Sequence, residues 1–129
     1  MKVTIETDVW TRNDVPIRGA VNIHIQPENA VERERLDEIY EDIIRDIGYT
    51  YGYLVSKVGS GSTLDFDEVE IVEVEVLLGL VEGSPEDVEE FVEEKVEKAR
   101  EVADEIKDIL ENKGFTVSVS KRYYPHLMG

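Results

Sequence analysis

The chain has 129 residues, 41% of them hydrophobic and 34% charged, with a net charge of −16, no cysteine and two histidines. That length suits one domain around one core, while the missing cysteines exclude disulfides, thiolate catalysis and thiolate metal sites. So acidic a surface repels nucleic-acid backbones and anionic bilayers, so neither is expected as a partner, and no apolar run reaches the roughly 18 residues that span a membrane.

Residues 2–11 read as a first strand, with Val3 and Ile5 on one phase and Val9 after a phase slip near Asp8. Residues 12–16, Arg-Asn-Asp-Val-Pro, read as a turn, because Asn, Asp and Pro each favour turn geometry. Val21, Ile23 and Ile25 alternate with Asn22, His24 and Gln26 in a second strand over residues 20–26, which makes a hairpin with the first. Asn29 is a suitable N-cap for a helix whose apolar positions are Val31, Leu36, Ile39, Tyr40, Ile43, Ile44 and Ile47.

Residues 49–58 read two ways. Gly48 can end the helix as a left-handed cap, leaving a strand rich in Tyr, Thr and Val. Alternatively Tyr51, Leu54, Val55 and Val58 continue the 3–4 spacing and Gly59 ends the helix. The apolar spacing favours the continued helix, although each interior glycine costs roughly 1 kcal/mol. Residues 59–63, Gly-Ser-Gly-Ser-Thr, read as a flexible loop.

Residues 64–81 form a long strand region with Val72, Val74, Val76, Leu78 and Leu80 on one phase. Val69 and Ile71 take the other phase, which predicts a bulge near Ile71. Ser84 caps a second helix with Pro85 at its first position and acids in its first turn, and Lys113 and Gly114 close it. Its apolar stripe runs from Val88 to Leu110. A last strand begins at Phe115 and runs to about Tyr124, followed by a tail.

This order predicts an α+β two-layer sandwich: two long helices on one face of a four- or five-stranded mixed or antiparallel sheet. The topology is ββαβαβ if the first helix continues. If it breaks, it is a ferredoxin-like βαββαβ with an extra N-terminal strand. The N-terminus alternates like a strand and lacks a signal-peptide core, so a cytoplasmic protein is expected.

Segments 28–47, 64–83 and 84–114 hold 27 of the 30 acidic residues. The rest of the chain nets +3 and holds the only Trp, both His and five of the six Tyr. The acid reads as solvated scaffold, and the twofold excess of Glu over Asp is thermophile-like. Trp10, Arg12, Arg18, Tyr49, Tyr53, Lys57, Lys121 and Arg122 fall in the irregular or near-neutral stretches. If they converge, they line a pocket for an anionic small molecule, with guanidinium forks for the anion and aromatic walls. The competing reading places the aromatics in the core or an interface and the bases in surface ion pairs.

His24 lies on the polar phase of its strand with no partner that the sequence identifies, and Glu68, Glu70, Glu73 and Glu75 lack the pattern of a built metal loop. No cofactor or metal is expected. Tyr123, Tyr124, Leu127 and Met128 are costly to leave exposed at a chain end, which marks them as interface residues. The expected function is therefore non-catalytic: homo-oligomeric assembly or protein–protein contact, with an anionic-ligand module as the alternative. A third reading, a computationally designed domain, rests on how closely the second helix follows every local rule.

Overall fold

The computed structural model describes residues 1–60 and 70–128. Its elements are β1 (Lys2–Arg12), β2 (Val15–Gln26), α1 (Ala30–Glu34), α2 (Leu36–Ile43) prolonged by a π-helical turn (Ile44–Tyr49), β3 (Leu54–Ser60), β4 (Glu70–Glu82), α3 (Pro85–Asn112) and β5 (Ser118–Leu127). The sheet order is β3-β4-β2-β1-β5. Every junction is antiparallel except β1–β5, which is parallel. The architecture is the two-layer α+β sandwich, in its ferredoxin-like form with one extra strand. That strand is not appended at an edge. β1 enters between β2 and β5, the two strands that would be neighbours in a plain βαββαβ sheet.

Two expectations change at the N-terminal hairpin. The turn is only Asn13 and Asp14, both at positive φ (53° and 63°), as a tight hairpin turn requires. Val9 is buried in phase with Val3 and Ile5, and the irregularity lies later, between Trp10 and Thr11.

The first helix ends at Tyr51, so the continued helix to residue 58 is not formed. Neither Gly48 nor Gly59 ends it. Gly52 does, at φ +75°, with its N–H donating to the Gly48 carbonyl at 2.8 Å. Gly48 lies within the π turn, close enough to β3 that a Cβ there would meet Val55 Cγ2 at 3.3 Å. Gly59 and Ser60, expected in a loop, belong to β3, and residues 61–69 lie outside the described residues.

β4 carries the bulge expected near Ile71, since Val58 pairs with Glu73 and Gly59 with Ile71. A second register shift follows, with Asn22 opposite Leu77 and Val21 opposite Gly79. Leu78 therefore stays in the core while Leu80, expected on the same side, is exposed.

Val3, Ile5, Val21, Ile23, Ile25, Val74 and Val76 form the inner face of the sheet. Leu36, Ile39, Ile43 and Ile47 meet them from the first helical segment, and Ala99, Val102, Ala103, Ile106 and Leu110 from α3. Asn29 caps α1 by accepting from the Glu32 N–H at 3.0 Å, and Ser84 caps α3 by accepting from the Asp87 N–H at 3.2 Å.

The N-terminal half of α3 lies close against β2 and β4 because both strands present glycine there. A Cβ on Gly19 would reach Val92 Cγ2 at 2.8 Å, and one on Gly79 would reach Phe91 Cζ at 2.5 Å. Gly79→Ala should destabilise the fold by about 1–3 kcal/mol through overpacking. Denaturant unfolding checks this, and Phe91→Leu in the same chain should recover part of the loss. An unchanged midpoint for the single variant would refute this account of Gly79.

Candidate functional site: the β5 edge and the helix-free sheet face

A layer of two helices, spaced about 8–10 Å apart, covers about four strands at roughly 4.8 Å each. The sheet has five. α3 packs chiefly on β2 and also on β1 and β4, while the first helical segment packs on β4 and β3. β5 falls outside this cover. Its residues on the helix side are Val119, Lys121, Tyr123, Pro125 and Leu127, paired with Val3, Ile5, Thr7, Val9 and Thr11 of β1. Val119, Tyr123 and Leu127 are consequently 42%, 61% and 86% exposed.

β5 is also a hydrogen-bonding edge. The N–H groups of Ser118 and Met128 donate to the Met1 and Thr11 carbonyls, so even-numbered residues bond to β1. Odd-numbered residues turn their N–H and C=O outward. Pro125 occupies an outward position, where its missing N–H breaks no bond within the sheet. The strand contains Lys121 and Arg122 and no acidic residue. It extends past Tyr124 to Leu127, so most of the expected tail is strand.

Between β5, α3 and the first hairpin lies a groove of about 370 Å³. Val9, Pro16, Val92 and Tyr123 supply its apolar lining, and Glu89 and Glu93 add two carboxylates.

Among the described residues no helix packs on the opposite face of the sheet, which gathers the polar phase of the strands. His24 lies between two half-buried carboxylates, with Nε2 at 2.7 Å from Glu6 Oε2 and Nδ1 at 3.3 Å from Glu73 Oε2. Gln26 Nε2 donates to the same Glu73 oxygen at 3.0 Å. Both ring nitrogens of His24 thus face a carboxylate. Further along, His126 Nε2 is 2.7 Å from Asp8 Oδ1, and its ring stacks on Trp10 at 4.7 Å. Among the described residues no group of three His, Asp or Glu is placed to hold a metal ion. No helix among them is long and apolar enough to cross a membrane.

The eight residues expected to line an anionic pocket fall into separate groups. Trp10 and Arg18 are together on the helix-free face, with the Arg18 guanidinium 5.6 Å from the indole. Arg18 is paired with Glu82 at 2.5 Å. Arg12 is exposed beside the hairpin turn. Tyr49, Tyr53 and Lys57 lie at the β3 edge, where Tyr53 stacks with Tyr51 at 5.9 Å and Lys57 pairs with Asp37. Lys121 and Arg122 are on β5, four strand spacings or about 19 Å from β3.

Of the expected interface residues, Tyr123 and Leu127 share the uncovered helix side. Tyr124 is on the helix-free face, where its hydroxyl accepts from Arg122 Nη1 at 3.2 Å, and Met128 bonds back to Thr11. The sequence reading missed Glu6, Asp8, Glu89, Glu93 and Val119. Alternation marks Glu6 and Asp8 as sharing a phase, but only the strand register brings them to His24 and His126.

No protein-family model matches this chain, and no significant match exists among curated proteins or solved structures.

Burial pushes the Glu6 carboxyl above its ordinary range, outweighing the opposing pull of His24, and Asp8 and Glu73 add to the rise. A raised folded-state value gives stability that is complete below the unfolded carboxyl pKa of about 4.3 and is lost as pH rises through the folded value. Glu6→Gln should therefore be more stable than the parent at pH 7, and the advantage should vanish as pH falls below about 4. Denaturant midpoints across this range check it. An advantage that persists in acid would sink the burial argument.

Proposed function

We propose that this domain works by associating with copies of itself along β5, without catalysing a reaction. The observation that carries this reading is the uncovered helix side of β5, where Val119, Tyr123 and Leu127 are exposed in one row beside outward-facing backbone groups. An open strand edge with apolar side chains is a template for adding another strand.

Charge supports the same surface. Two copies at −16 each repel most strongly through their acidic helices. β5 carries two cations and no acid, and Lys121 forms no ion pair among the described residues. The other edge strand, β3, has its one cation, Lys57, already paired with Asp37. The anionic-ligand alternative has weaker support, because Arg18 and Lys57 are both engaged by carboxylates.

Light scattering tests the proposal. The full chain should have at least twice the monomer mass, and Tyr123→Glu with Leu127→Glu should shift it to monomer while leaving the helical circular dichroism unchanged. A full chain that stays monomeric at every concentration refutes self-association.

A further inference from the structure

We propose that β5 pairs with the same strand of a second copy, antiparallel and centred on Tyr123, so that two five-stranded sheets join into one of ten strands. This rests on the self-association reading and specifies its register.

Three independent features select that centre. The first is the spacing of the exposed apolar side chains. Val119 and Leu127 stand four residues either side of Tyr123 on the same face of β5. A two-fold axis at Tyr123 puts Val119 opposite the partner's Leu127, and Tyr123 opposite the partner's Tyr123. All three exposed apolar positions then meet apolar positions.

The second is the placement of like charges. A strand pair centred on Lys121 would oppose two lysines, and one centred on Arg122 would oppose two arginines, each destabilising. Centring on Tyr123 puts Lys121 opposite the partner's Pro125 and Arg122 opposite the partner's Tyr124. Arg122 and Tyr124 are compatible neighbours, since they already hydrogen-bond within one chain. Pro125 contributes only its carbonyl to the new ladder, and in this register the Lys121 N–H reaches it. Proline and lysine on an edge strand restrict unselective pairing. Here they disfavour the registers centred on Lys121 and Arg122 and leave the Tyr123 register free of such a clash, and the apolar spacing then favours that centre.

The third is the groove. Pro125 pairs with Val9 of β1, and Val9 lines the groove that carries Glu89 and Glu93. The partner's Lys121, opposite Pro125 on the helix side, extends the row Val9–Pro125 to the mouth of that groove. A lysine stem fits its apolar lining, and the ammonium meets two carboxylates. The two-fold repeats this contact on the other side.

Cysteine trapping reads the register directly, because the chain has no cysteine of its own. Arg122 and Tyr124 become a directly opposed pair without mutual hydrogen bonds, the closer kind in an antiparallel ladder, with Cα atoms about 4.5 Å apart. That spacing is within disulfide reach. Arg122→Cys mixed with Tyr124→Cys should cross-link under mild oxidation in clear excess over Arg122→Cys with itself and over Ser120→Cys with Arg122→Cys. Lys121→Glu should weaken dimerisation about tenfold, and Glu89→Lys with Glu93→Lys in that background should restore it. A monomeric parent chain removes the self-association reading itself. A dimeric parent that links 122 to 122, links 120 to 122, or links none of these pairs keeps that reading and overturns this register.

Discussion

Two helices cannot cover five strands, and the exposed features of this protein follow from that mismatch. A helix layer is about as wide as four strands. In a plain βαββαβ sandwich the last strand returns beneath the second helix. Here β1 takes that place, bonded to β2 on one side and β5 on the other, and displaces β5 by one strand spacing. The side chains that would have entered the core instead face solvent at the rim of α3.

How α3 reaches the sheet sharpens the mismatch. Gly19 and Gly79 remove the side chains that would hold the helix away, and Phe91 and Val92 occupy the space. The register shift in β4 brings Gly79 to the helix side while keeping Leu78 buried. The helix is thus anchored over β2 and β4, away from β5. Tightening one end of the layer opens the other, and the groove beside Tyr123 is what remains.

The helix-free face has the opposite character. Its charged groups are matched across strands: His24 lies between Glu6 and Glu73, His126 sits against Asp8, and Arg18 against Glu82. Half-buried charges on a flat sheet are tolerable when neighbouring strands supply the partners, and β1, β2 and β4 do so here. The surplus acid lies mostly elsewhere, on α2 and α3, where surface pairs such as Lys98 with Glu101 offset part of it. A nearly balanced sheet and acidic helices leave β5, with two cations and no acid, as the surface of least repulsion.

Much of the fold was legible in the residues. Periodicity located four of the five strands and both helical segments, but for residues 49–58 it favoured a continued helix where β3 forms; Asn29 and Ser84 announced the caps, and the phase change near Ile71 marked a bulge. These are local consequences of side-chain spacing and backbone preference. The end of the first helix was not legible, because Gly48, Gly52 and Gly59 are equivalent as local signals; in the fold it is Gly52 that takes the left-handed conformation and closes onto the Gly48 carbonyl, while Gly48 packs near Val55. Nor was the cross-strand register. The turn at Asn13 and Asp14 fixes Arg12 opposite Val15, but the irregularity after Trp10 shifts every later pair by one residue, which sets Thr4 opposite His24 and brings Glu6 within reach. A one-residue shift exchanges the faces of a strand, and local propensity does not encode it. The sequence by itself determined the elements outside residues 49–58 and the separation of acid from aromatic and basic residues. Only the tertiary structure decided that β1 enters the middle of the sheet and β5 becomes its edge, because strand order is set by which faces can be buried together under two helices.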